Sequence, residues 1–294
     1  MRRTILSILA AAAMCPALAR AQTQTPQTTQ TGGAPPSVVN RSGSPVDTDR
    51  IIRAFTQKET EFRKALNEYA FRRDAVIQTI AFGGQISGEY QRVSSFVFDD
   101  SGRRYEKIIK FPIPTLTEIQ LTAEDLEDLG GVQAFALESS KIHEYDFSYV
   151  GKEKIDELDT YVFDVTPRIL ADARRLAALK KSKATERYFQ GRVWVDDRDL
   201  QIVKARGKGV PEFEQRFPTF ETYREQIDGK YWFPTYSYAD DELNFKSGQT
   251  VHLRMRVKYT DFQRLRGRAT VIEQGDEPET PPAKPAPTPA KPKP

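Results

Sequence analysis

The stretch from Arg187 to Asp240 constrains the fold more than any other. It reads R-Y-F-Q-G-R-V-W-V-D-D-R-D-L-Q-I-V-K-A-R-G-K, and later T-Y-R-E-Q-I-D-G-K-Y-W-F-P-T-Y-S-Y-A-D. Two extended arms flank the polar turn Asp196-Asp197-Arg198-Asp199, and a second pair flanks Asp228-Gly229. Asp-Gly between aromatic or alternating runs signals a hairpin, because a type I′ turn needs positive φ at both central residues. The stretch predicts a twisted antiparallel sheet rich in aromatics. A later segment has the same logic. Val251, Leu253, Met255, Val257 and Tyr259 alternate with His252, Arg254, Arg256 and Lys258, which gives one buried face and one wet face.

The rest of the chain supplies more strands and a few helices. Asp47 or Thr48 caps a helix in which Ile51, Ile52, Phe55, Phe62, Leu66 and Tyr69 recur at helical spacing. Extended segments are expected at 69–82, 86–99 and 103–111, turning at Gly83-Gly84 and Asp100-Ser101-Gly102. Pro112 and Pro114 end that meander. Thr122 opens a short helix with acids in its first turn, and Gly130-Gly131 stops it. Strands at 142–150 and 161–165 are expected to join through Gly151. Residues 168–185 read as a basic amphipathic helix with Ile169, Leu170, Ala173, Leu176 and Ala177 on one face. Such a helix docks on its own domain or lies on an anionic membrane. The fold class is mainly β (α+β): one large curved antiparallel sheet or unclosed β-barrel of about ten strands, with an N-terminal helix and lid helices.

The two ends read differently. Arg2 and Arg3, the apolar run from Ile5 to Ala13 and Ala19-Arg20-Ala21 form the pattern of a secretory signal peptide over residues 1–21. Residues 22–46 are a Gln/Thr/Pro/Gly-rich leader and residues 273–294 a Pro/Ala/Lys-rich tail; both compositions predict disorder. Residues 47–272 are left as the folded domain. Cleavage after Ala21 removes Cys15, the single cysteine, so no disulfide or thiol chemistry is expected. It also removes Arg2, Arg3 and Arg20. The basic count then falls from 44 to 41, equal to the 41 acidic residues. A neutral chain gives no reason to expect a nucleic-acid partner.

Signatures of catalysis are missing from the sequence. His143 and His252 stand apart, and no G-x-S-x-G elbow or phosphate-binding glycine loop is present. Asp196, Asp197 and Asp199 lack the spacing of a calcium loop and read as a solvated turn. No catalytic residue, metal site or cofactor is therefore assigned. Aromatics gather instead around one hairpin: Tyr223, Tyr231, Trp232, Phe233, Tyr236 and Tyr238. Phe217-Pro218-Thr219-Phe220 and Phe233-Pro234-Thr235-Tyr236 echo each other across it, with each proline expected at an edge or bulge.

At Gly191-Arg-Val-Trp-Val-Asp-Asp and Ile227-Asp-Gly-Lys-Tyr-Trp-Phe-Pro-Thr the chain resembles the outer-membrane lipoprotein-sorting superfamily, the LolA-like proteins. The resemblance implies an unclosed barrel with a helical lid and a hydrophobic cavity for lipid or lipoprotein acyl chains in the periplasm. The basic helix after Arg168 and the Pro/Lys tail depart from that pattern, and no residue matches the family's lid-locking arginine. The expectation is a monomeric binding or carrier protein of the cell envelope, not an enzyme, with peripheral contact to membrane or wall. Val193, Val195, Phe233, Leu253, Met255 and Val257 are the candidate cavity residues. The alternative is a structural or interaction module of the envelope with tethering tails and no small ligand.

Overall fold

The computed structural model describes residues 46–122, 125, 137–182 and 186–265. The signal peptide, the leader, the tail and the helix stop at Gly130-Gly131 lie outside the described residues. Ten strands are present: β1 (Tyr69–Ile80), β2 (Ile86–Phe98), β3 (Arg104–Lys110), β4 (Tyr145–Ile155), β5 (Leu158–Pro167), β6 (Tyr188–Asp196), β7 (Ile202–Val210), β8 (Phe220–Gln226), β9 (Trp232–Asn244) and β10 (Thr250–Arg264). They form one sheet in the order β3-β2-β1-β10-β9-β8-β7-β6-β5-β4. Neighbours are antiparallel throughout. Two meanders, β1 to β3 and β4 to β10, are joined where β10 returns beside β1. The edges β3 and β4 do not pair with each other, so the sheet is open, as the sequence predicts.

Helix α1 (Thr48–Leu66) lies across the inner face of this sheet. The Asp47 carboxylate accepts from the Arg50 N–H at 3.0 Å and caps it. Ile51 and Phe55 pack with Phe163, Val165, Val193 and Val195. Further along, Phe62, Ala65 and Leu66 pack with Tyr69, Phe71, Phe233, Val257 and Tyr259. Each large side chain so buried contributes about 1.5–3 kcal/mol. Both sheet edges reach the same helix. Arg104 of β3 donates to the Leu66 carbonyl at 2.5 Å, a cation at the helix C-terminus. Ahead of β4, Glu138 pairs with Arg63, and Ser139 sits 3.1 Å from the Thr60 hydroxyl. The sheet therefore wraps the helix.

A second helix, α2 (Ala173–Ser182), docks on the cluster around Phe55 through Leu176 and Leu179. Ala173 and Ala177, expected on the buried face, are exposed. The reason is that Asp172 breaks the segment: Arg168–Ala171 form a separate 3-10 turn and the helix starts afresh, capped by the Asp172 carboxylate.

Three other local expectations are corrected. Gly151 is not a turn: β4 continues through it with a bulge, and the chain reverses at Asp156, where φ is 51°. Residues 142–144 belong to a 3-10 turn, Ser139–Glu144, so β4 begins later than its apolar pattern suggests. The loop at Asp228-Gly229 is not a two-residue type I′ turn. It spans residues 227–231, and only Gly229 takes positive φ. The Asp228 carboxylate stands in for the turn hydrogen bonds, accepting from the N–H groups of Lys230 and Tyr231 at 3.0 and 3.1 Å.

Candidate ligand cavity

A cavity of about 340 Å³ opens on the inner face. The sheet supplies Ile77 from β1, Leu253, Met255, Val257 and Tyr259 from β10, Leu243 and Ser237 from β9, Thr222 and Phe220 from β8, and Gly209 from β7. Inward parity selects them: successive residues of a strand point to opposite faces. The other walls come from outside the strands, namely residues 118–122, Asp125, Arg187, residues 215–218, Phe245 and Gln249.

Two of those walls are held by identifiable bonds. After Pro112 and Pro114 the chain cannot extend the ladder. Leu116, Ile119 and Leu121 turn inward against Ile77, Tyr90, Leu243 and Leu253. Thr115 donates its N–H to the Glu89 carbonyl at 2.9 Å, and Gln249 donates to the Glu118 carbonyl at 3.2 Å. On the opposite side, Glu212 accepts from the Phe217 N–H at 3.0 Å and Asp241 from the Thr219 N–H at 2.9 Å.

The interior is mostly apolar, and several of its polar side chains are paired. The Thr222 and Ser237 hydroxyls meet at 2.8 Å. Arg187 pairs with Asp125 at 3.0 Å and lies 4.4 Å over the Phe217 ring. Thr122 and Asp125 form a reciprocal cap, backbone N–H to side chain in both directions at 2.9 and 3.1 Å, and this cap sets Asp125 opposite Arg187. Apolar walls with a few placed polar groups are the usual make-up of a small-molecule site.

The six candidate residues fall into two groups. Leu253, Met255 and Val257 line the cavity. Val193, Val195 and Phe233 share the same inner face but pack under α1, each no more than 1% exposed. Sequence reasoning passed over Ile77, Phe220, Leu243 and Tyr259 on the strands and every wall residue outside them. Phe217-Pro218, half of the echo across the hairpin in sequence, lines the cavity, whereas Pro234 sits at the bulge where the β8–β9 register shifts. Asp196, expected in a solvated turn, is 3% exposed. Burial pushes its carboxyl above the usual range despite N–H donors from Asp199 and Arg198. Its hairpin is tied down on both sides: Asp197 pairs with Lys152 at 2.9 Å, and Asp199 accepts from the Trp232 indole at 2.7 Å.

The structure defines a class: an open antiparallel sheet wrapped around one long helix, with an apolar cavity beside that helix. No family model matches the sequence, and no curated protein matches it. Among solved structures, 17 chains match. One is a LolA superfamily protein from Nitrosomonas europaea, 18% identical over 76% of this chain and 94% of that one, with a TM-score of 0.32. Another is a DUF1329 family protein from Desulfovibrio piger, 17% identical over 74% and 94%, with a TM-score of 0.34. A third is a putative outer membrane lipoprotein-sorting protein domain from Vibrio parahaemolyticus, 12% identical over 72% and 93%, with a TM-score of 0.31. These are likenesses only; the functional reading rests on the cavity.

Proposed function

We propose that this protein is an exported carrier that holds a lipid or lipoprotein acyl chain on the inner face of its open sheet. One observation carries the reading: among the described residues, the side chains of the inner face leave a cavity of about 340 Å³ beside Leu253, Met255 and Val257. Those three residues touch the chain in this account. Val193, Val195 and Phe233 form the packed wall next to it. The N-terminal signal pattern supports export to the cell envelope, and the proposed role is binding rather than catalysis.

The test is titration of the full chain with straight-chain alkanols of increasing length. Each methylene that enters the cavity adds about 0.8 kcal/mol, roughly fourfold in affinity. Affinity should climb with chain length, then reach a plateau once the cavity is full. No binding at any length would remove the carrier reading.

A further inference from the structure

We infer that the cavity takes a single-chain amphiphile whose head carries an anionic group, held at Arg216. This deepens, and rests on, the acyl-chain reading above.

Volume sets the number of chains. About 340 Å³ lies near the lower end of the roughly 300–1,000 Å³ of small-molecule sites. One flexible chain fits that space, whereas the two or three chains of a multiply acylated lipid do not. Residues 118–122 and 215–218 wall it on two sides.

Charge sets the head. The charged residues lining the cavity, among those described, are Glu118, Asp125, Arg187 and Arg216. Asp125 and Arg187 cancel each other at 3.0 Å. Arg216 is held in another way. Its Nε donates to the Asn244 carbonyl at 2.7 Å, and its Nη1 donates to the Gln215 carbonyl at 2.8 Å. Carbonyl oxygens are neutral, so they fix the guanidinium without cancelling its charge. Among the described residues no carboxylate lies at ion-pair distance from it; Glu214, which feels its charge, is itself paired with Lys246 at 2.9 Å. Two bonds also leave part of the five-donor fork for a ligand. A preset guanidinium with no carboxylate bonded to it, beside an apolar cavity, suits a carboxylate or phosphate on the end of a chain. Glu118 is the opposing charge. The Ser87 hydroxyl donates to it, and it favours heads in which the anion is followed by an ammonium. The shared chemistry is the anion at Arg216; a fatty acid and a single-chain phospholipid are its two sources.

The experiment compares four decyl amphiphiles on the full chain by calorimetry: decanol, decanoate, decylphosphocholine and decyltrimethylammonium. The anionic or zwitterionic head should bind about tenfold tighter than decanol, the scale of one charged hydrogen-bonded contact. The cationic head should bind more weakly than decanol. Arg216→Gln should bring decanoate down to the decanol level measured on the same variant, and Arg216→Lys should restore part of the gain. Glu118→Gln separates the sources: it tightens decanoate and loosens decylphosphocholine if the ammonium uses Glu118. Equal binding of decanoate and decanol, or a preference for the cation, overturns the head-group inference and leaves the chain cavity standing. Failure of decanol itself to bind overturns the cavity reading instead.

Discussion

Arg224 of β8 and Glu59 of α1, 165 residues apart in sequence, meet in a bidentate ion pair at 2.6 and 3.0 Å. Their side chains are 12% and 3% exposed, and the guanidinium also lies 5.3 Å over the Phe62 ring. The pair fixes the middle of the helix to the inner face of the sheet. It sits between the two apolar clusters that bury the helix ends, so α1 is held at three points along its length.

Breaking that pair from one side strands a buried charge. Glu59→Gln or Arg224→Ala should each cost about 3–5 kcal/mol, and replacing both with leucine should recover most of the loss. Urea unfolding of the three variants measures it. Single variants within about 1 kcal/mol of the parent would mean that the pair is solvated and does not hold the helix.

A second tie from the helix end is sensitive to pH. The Tyr69 hydroxyl, at the start of β1, donates to Asp228 in the β8–β9 loop. Burial, then that hydrogen bond, push the Tyr69 phenol well above its ordinary value. Burial alone would raise Asp228, but the bonds from Tyr69 and from the N–H groups of Tyr231 and Lys230 hold it below the usual carboxylate range. A depressed carboxyl adds stability that is complete above its unfolded pKa, about 3.9, and is lost as pH falls through the folded value. The parent should therefore lose more stability than Asp228→Asn between pH 6 and pH 3. Parallel pH profiles for the two would contradict the tie.

Core and cavity residues on the same inner face should respond in opposite ways. Phe233 is fully buried against Phe62 and Tyr69; Phe233→Ala should cost about 3–5 kcal/mol. Met255 borders open space, so Met255→Trp has room for its ring and should cost under about 3 kcal/mol while abolishing alkanol binding. Thermal unfolding and calorimetry on the same samples separate the two effects.

Gly191 opens the motif that carries the family resemblance, and the structure gives it a mechanical reason. It pairs with Gly207 across β6 and β7, and a Cβ added at Gly191 would fall on the Arg206 carbonyl oxygen and the Gly207 Cα. Gly191→Ala must part the two strands. It should destabilise the domain and lower its unfolding temperature, whereas Gly248→Ala, in an open hairpin loop, should cost only its positive φ.

What the sequence made legible was whatever has a short repeat. The alternation of β10, the cap and apolar face of α1 and the aromatic hairpins each announce themselves within a dozen residues, and together they predict the open sheet. Contacts between distant segments have no such signal. Nothing near Glu59 points to Arg224. The cavity walls at residues 118–122 and 215–218 have no period, because they are shaped by prolines and by bonds to remote strands. Strand parity placed Val193, Val195, Phe233, Leu253, Met255 and Val257 on one face. It does not say how far α1 covers that face, and the end of that cover divides the packed residues from the open ones. Asp196 shows the converse: a turn of three aspartates looks wet in sequence, yet its first carboxyl is buried by the hairpin it closes.

Native mass spectrometry of the full chain, recovered without detergent from the cells that make it, tests the central claim most directly, with Met255→Trp prepared alongside. The parent should carry the added mass of one single-chain amphiphile, released by organic extraction, and Met255→Trp should fly bare. Bare protein in both samples, or the same adduct on both, would contradict it.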